Sequence, residues 1–178
     1  MLALMELTPI KRIVEAALLA AGQPLSLAQL GALFGESEAL GADALAQALA
    51  ELGAECAGRG IELVEVASGF RYQVRLDVHP WVQRLWTERQ TRYSRALLET
   101  LALIAYRQPV TRPELEDVRG VDSGAVLKAL LDRRLIKIVG KKEEVGRPIL
   151  YGTTRQFLDH FGLASLTELP SLAELRPV

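Results

Sequence analysis

The sequence predicts an α+β chain, mainly helical, in which a unit of three helices closed by a β-hairpin occurs twice in tandem. Three observations predict it. A repeat at an offset of 85 residues aligns Leu18, Leu19, Ala20, Ala21, Gly22, Gln23, Pro24, Leu25, Ser26 and Leu30 with Leu103, Ile104, Ala105, Tyr106, Arg107, Gln108, Pro109, Val110, Thr111 and Leu115. A helix-start signal follows the proline of each copy, and each copy changes from helical to strand periodicity after its third helix. Three helices followed by a hairpin is the plan of a winged helix, a helix-turn-helix with a wing.

The elements follow in order. In the first copy Ile10, Ile13, Val14, Ala17, Leu18 and Ala21 form the stripe of an amphipathic helix; in the second, Leu97, Leu98, Leu101, Ile104 and Ala105 do the same. Each helix stops before its proline, Pro24 or Pro109, because proline lacks an amide donor and disfavours a helical predecessor. Ser26 with Gln29, and Thr111 with Glu114, have the spacing of a capping box and start the second helices. Asp43 opens a third helix with Leu45, Ala48, Leu49 and Leu52 inward; Asp122 or Ser123 opens its counterpart with Val126, Leu127, Leu130 and Leu131 inward. Phe70, Tyr72, Val74 and Leu76 alternate with Arg71, Gln73 and Arg75 as a half-buried strand, paired with 61–66 across Gly69. The second wing comprises a strand over 135–139, a polar turn over 140–146 and a return over 149–151. A short helix over 79–86, containing Pro80, Trp81, Leu85 and Trp86, closes the first domain, and the polar run 87–95 is the candidate boundary. The expected domains are therefore 1–88 and 96–165, with a tail over 166–178.

Composition bounds the function. With 49% apolar and 24% charged residues the 178-residue chain has the balance of a compact globular protein. The apolar start at Met1, Leu2, Ala3, Leu4 and Met5 is interrupted by Glu6, Pro9, Lys11, Arg12 and Glu15, too early for a membrane span, and no secretory leader is expected. One cysteine, Cys56, excludes an internal disulfide and suits a reducing compartment, so a cytoplasmic protein is expected. Residues 1–66 carry three basic and nine acidic side chains, whereas 67–155 carry 17 basic and ten acidic, so only the second half has the charge to meet phosphate.

Converging reactive groups are not evident, and an enzyme is not expected. His79 and His160 lie 81 positions apart with no cysteine pair near either, so no zinc spacing exists; His79 reads as a helix start and His160 as a surface turn of the last helix. Cys56 reads as a small core residue. The runs Gly140-Lys141-Lys142 and Gly146-Arg147 lack the spacing of a phosphate loop and read as a hairpin tip, and Gly58-Arg59-Gly60 reads as a turn before a strand. No catalytic residue, metal, cofactor or small-molecule substrate is expected.

Nucleic-acid binding is the competing reading, because winged helices often place the third helix in the major groove. The outward positions of the first third helix, Asp43, Gln47, Glu51 and Glu55, carry no cation and would repel phosphates. Those of the second, Ser123, Lys128 and Asp132, with Arg133 and Arg134 at its end, offer too few donors to read base edges. Lys141 and Lys142 are offset by Glu143 and Glu144. Arg84, Arg89, Arg92 and Arg95 compose at most a weak phosphate patch or a solvated linker face, so Arg89, Arg92, Arg95, Lys141 and Lys142 are the candidate phosphate contacts. The alternative function is a winged-helix regulator or nonspecific DNA binder. Trp81, Trp86, Tyr93, Tyr106, Tyr151, Phe157 and Phe161 are aromatics without an obvious core place, of the type that anchors protein interfaces.

The second domain adds specific runs: 98–111, Val118-Arg119-Gly120-Val121, Gly146-Arg147-Pro148-Ile149-Leu150-Tyr151-Gly152-Thr153-Thr154, Phe157-Leu158 and Phe161-Gly162-Leu163. Over about 96–170 these resemble the segregation and condensation protein B family, with a looser similarity over 13–26. The resemblance implies a non-catalytic subunit of the bacterial condensin complex, nucleoid-associated, taking part in chromosome condensation and segregation during cell division. It implies a homodimer associated through the first domain that binds the kleisin subunit and, through it, the structural-maintenance-of-chromosomes ATPase, with DNA contacted weakly or indirectly. On physical grounds Tyr106, Arg147, Pro148, Tyr151 and Phe157 are the candidate kleisin contacts: Pro148 stiffens the wing, and the tyrosines offer flat area at low entropic cost.

Overall fold

The computed structural model describes residues 6–35, 40, 43–85 and 93–171. The chain forms two compact units, Met1–Glu88 and Arg89–Val178. Of the expected boundary run 87–95, only Tyr93, Ser94 and Arg95 are among the described residues.

In the first unit α1 (Leu7–Ala21) ends at Gly22, which takes the left-handed conformation at φ 63°. It buries Ile10, Val14 and Leu18; Ile13 turns outward, so the buried stripe is narrower than the sequence suggested. The Ser26–Gln29 capping box forms and opens α2 (Leu27–Gly31), and α3 (Ala44–Glu55) buries Ala48, Leu49 and Leu52. Strands β1 (Ile61–Val66) and β2 (Gly69–Val74) pair antiparallel from Ile61↔Val74 to Val66↔Gly69. Leu63, Phe70 and Tyr72 pack on the helical core of Ile10, Val14, Leu18, Leu30, Phe34, Ala48, Leu49 and Leu52.

The expected continuation of β2 to Leu76 does not occur. The Arg75 amide returns to Gly60 O and the Arg75 carbonyl accepts from Val78 and His79, so the chain turns as soon as β1 runs out, and Leu76 is exposed. A short helix, α4 (His79–Val82), and a 3₁₀ turn (Gln83–Leu85) follow. Cys56 caps α3, is buried, and donates its thiol to Leu52 O at 3.2 Å.

The second unit repeats the plan. Ser94 caps α5 (Arg95–Arg107), whose buried face is Leu97, Thr100, Leu101, Ile104 and Ala105; Thr100 sits inside because its hydroxyl donates to Ala96 O at 2.8 Å. A two-residue strand, β3 (Val110–Thr111), leads into the Thr111–Glu114 capping box and α6 (Arg112–Arg119), and α7 (Gly124–Asp132) buries Leu127 and Leu130. Strands β4 (Ile136–Lys141) and β5 (Ile149–Thr153) make the wing, and the sheet order is β3-β5-β4. β4 extends into the stretch expected as a turn, with a register shift between Ile138 and Gly140; the tip is closed by Lys142 N donating to Pro148 O and Arg147 N to Glu144 O. Thr154 caps α8 (Arg155–Phe161).

The strand ahead of the second helix was not read from the sequence, and it exists in both copies. In the first unit it shrinks to Leu25, which exchanges two 2.9 Å hydrogen bonds with Phe70. In the second it is β3, paired as Val110↔Tyr151 and Thr111↔Leu150. Of the residues expected as a tail, 166–171 are described; Leu169 packs on the second core, and Tyr106 Oη donates to Pro170 O at 2.7 Å.

Candidate functional site

The tip of the second wing is tied to the helix-turn-helix through Glu114. The Glu114 carboxylate accepts from the Thr111 amide and hydroxyl, each at 2.8 Å, and from Lys142 Nζ at 2.8 Å; Lys142 also reaches Glu144 at 2.7 Å. The Lys142 ammonium, then the Thr111 amide and hydroxyl, hold the Glu114 carboxyl down at about 2, and Lys142 is raised in turn. Between α6 and the wing tip lies a groove of about 450 Å³, lined among others by Pro113, Glu114, Asp117, Lys142, Val145 and Pro148.

The five candidate kleisin contacts separate on burial. Arg147 is exposed at the tip with φ 42°, and Pro148 lines the groove beside it. Tyr106 is half-buried and spent on Pro170. Tyr151 and Phe157 are not surface aromatics: both are buried members of the second core, Tyr151 because β5 is the central strand and Phe157 because it lies on the inner side of α8. The expectation that Tyr151 and Phe157 lack a core place is therefore corrected.

The remaining aromatics divide similarly. Tyr93 packs on the second core and its hydroxyl lies 3.1 Å from His160 Nε2; Phe161 stacks on Phe157 at 5.0 Å and is partly exposed; Trp81 is 62% exposed. Trp86 lies outside the described residues.

Of the candidate phosphate contacts, Arg95 is taken by Glu99 at 2.7 Å and Lys142 by Glu114 and Glu144. Lys141 is exposed, while Arg89 and Arg92 lie outside the described residues. The third-helix faces also differ from the expectation. In the first unit Glu51 and Glu55 are bound by Lys11 of α1, so that face is a helix–helix clamp. In the second unit Ser123 is fully buried: its amide donates to Glu116 at 2.8 Å and its hydroxyl accepts from Arg119 at 3.2 Å. The Ser123 amide, and then Arg112, lower the Glu116 carboxyl; Arg112 also pairs with Asp122. This polar set spans α6 and the start of α7 and has no sequence signature beyond the alternation of arginines and carboxylates.

Among the described residues no group of three or more His, Cys, Asp or Glu side chains is placed to hold a metal, and no helix is long and apolar enough to cross a membrane.

Comparison with known proteins gives a consistent result. A family profile described as "Segregation and condensation complex subunit ScpB" matches residues 12–172. The chain is 49% identical over 166 residues to a "Segregation and condensation protein B homolog" of Coxiella burnetii, covering 93% of this chain and 79% of the relative. It is 52% identical over 176 residues to "Segregation and condensation protein B" of Syntrophotalea carbinolica, covering 96% and 85%. Among solved structures, ScpB from Mycobacterium tuberculosis is similar at 36% identity and a TM-score of 0.42, covering 90% of this chain and 99% of that one.

Proposed function

The chain belongs to the family of segregation and condensation complex subunit ScpB, and from that premise we propose that it is a non-catalytic subunit of a condensin-like complex. In this reading it binds the kleisin ScpA as a homodimer, joins the structural-maintenance-of-chromosomes ATPase through that kleisin, and takes part in chromosome condensation and segregation, in the cytoplasm on the nucleoid. The observation that carries the reading is the family match across 12–172, which runs through both units.

In this reading the first unit makes the dimer contact and the second binds the kleisin. Supporting the first assignment, that unit exposes Leu19, Leu76, Trp81 and Leu85, large apolar side chains that a dimer contact could cover. Supporting the second, the wing tip presents Arg147 and Pro148 next to a groove sized for a few residues of extended chain. The buried Tyr151 and Phe157 act from behind the surface, by holding β5 and α8 in place.

Co-expression with an ScpA fragment and measurement of the mass of the purified complex test the proposal. Retention of ScpA at moderate salt, with two copies of this chain in the particle, is the expected result. Arg147→Ala is expected to weaken retention by about 1–2 kcal/mol. A chain that elutes alone at every salt concentration would overturn the reading.

A further inference from the structure

Among the described residues of the second unit some cations are paired and others are not, and Arg107, Lys128, Lys141 and Arg147 are exposed without an ion pair at scattered positions. Arg95, Arg112, Arg119 and Lys142 each have a carboxylate partner. Arg133, Arg134, Lys137 and Arg155 are exposed, and among the described residues none of them forms an ion pair. These four are brought to one corner by backbone geometry. Arg133 and Arg134 form the turn after α7, where Arg134 takes φ 55° and its amide closes on Leu131 O at 2.8 Å. The Thr154 hydroxyl donates to Arg134 O at 2.6 Å and the Thr154 amide to Leu135 O at 3.2 Å, which sets Arg155 beside that turn. Lys137 faces Gly152 in the β4–β5 register, two residues from Thr154. The Arg133 guanidinium is fixed by a 3.2 Å bond to Ala129 O and by the Tyr93 ring, 5.9 Å away. The acidic groups nearest in sequence are Asp132 and Asp159, which leave the corner with a positive excess.

We propose that this corner is a contact surface for the phosphate backbone of double-stranded DNA, one that holds the duplex without reading its bases. The four charges are spread along a turn, a strand start and a helix start instead of lining a cleft, an arrangement suited to a row of phosphates. The outward side chains of α7 nearby, Ala125, Lys128 and Asp132, supply no bidentate reader of base edges. The surface differs from the contacts expected from sequence and does not depend on kleisin binding.

The test is binding of the full chain, alone, to a fluorescent 30-base-pair DNA duplex over a salt series. Four phosphate contacts give a logarithmic salt slope of about −3.6, and so roughly a 150-fold loss of affinity between 50 and 200 mM salt. Combining Arg134→Gln, Lys137→Gln and Arg155→Gln reduces the slope to about −1, while Arg107→Gln, an exposed cation at the end of α5, leaves binding at the corner in place. Unchanged far-ultraviolet circular dichroism verifies that the variants fold. The absence of duplex binding at 50 mM salt, a slope unaltered in the triple variant, or equal competition by polyglutamate of matched charge would each overturn the proposal; the last would mark the corner as a site for an acidic protein segment.

Discussion

Replacing Gly69 by alanine tests whether the single-residue strand at Leu25 holds the first wing. Gly69 has φ 134°, and a Cβ there would lie 2.2 Å from Leu25 O and 2.6 Å from Ser26 N, both backbone atoms that cannot rotate away. Alanine therefore forces Leu25 off β2 and breaks both of its hydrogen bonds to Phe70. Two such bonds contribute about 1 kcal/mol each, and the unfavourable backbone conformation adds about 1–2 kcal/mol, for an expected loss of about 3–4 kcal/mol. Gly58→Ala is the matched control: its φ is 76° but no atom lies within 4 Å of the added methyl, so only the conformational cost of about 1–2 kcal/mol applies. Urea unfolding of the full chain, followed by circular dichroism, gives both numbers. If Gly69→Ala costs no more than Gly58→Ala, the Leu25 bridge contributes nothing and the reasoning fails.

Leu130, fully buried in the second core, is expected to cost about 2–5 kcal/mol as Leu130→Ala, measured by the urea midpoint of the second unit. Tyr151→Ala is expected to destabilise that unit by about 3 kcal/mol or more through its cavity, whereas exposed Arg147→Ala leaves the midpoint within about 0.5 kcal/mol; equal midpoints would refute the burial argument. Glu114 titrates at about 2 in the folded protein against an ordinary 4.5, so its contribution is present above pH 4.5 and lost as the pH falls toward 2. Because the side chain is 42% exposed, solvent screening limits that contribution to about 1 kcal/mol. The stability difference between wild type and Glu114→Gln is therefore expected to shrink between pH 7 and pH 3, and a constant difference would contradict the assignment.

Elements whose causes are local were legible in the sequence. Both capping boxes formed where Ser26–Gln29 and Thr111–Glu114 placed them, and helices ended ahead of Pro24 and Pro109, because these signals act within one turn of chain. The strand ahead of α6 was missed because two residues give no periodicity; the extended Pro-aliphatic-Ser/Thr run shared by Pro24-Leu25-Ser26 and Pro109-Val110-Thr111 was the available signal. Leu76 was misplaced because alternation continues in sequence beyond the point where the partner strand ends. The surface was least legible. Tyr151 resembles an interface anchor until β5 proves central, and Arg95 and Lys142 resemble free cations until Glu99 and Glu114 are found beside them. Partners from distant segments decide these cases, and a linear pattern does not contain them.

The sealed sulfhydryl at Cys56 makes the molecule its own reporter. No other thiol exists in the chain, and this one is shielded by the packing at the end of α3. The rate at which a thiol reagent modifies the intact protein therefore records breathing of the amino-terminal half alone. Mutations elsewhere can thus be sorted by which half they loosen, without dissecting the polypeptide.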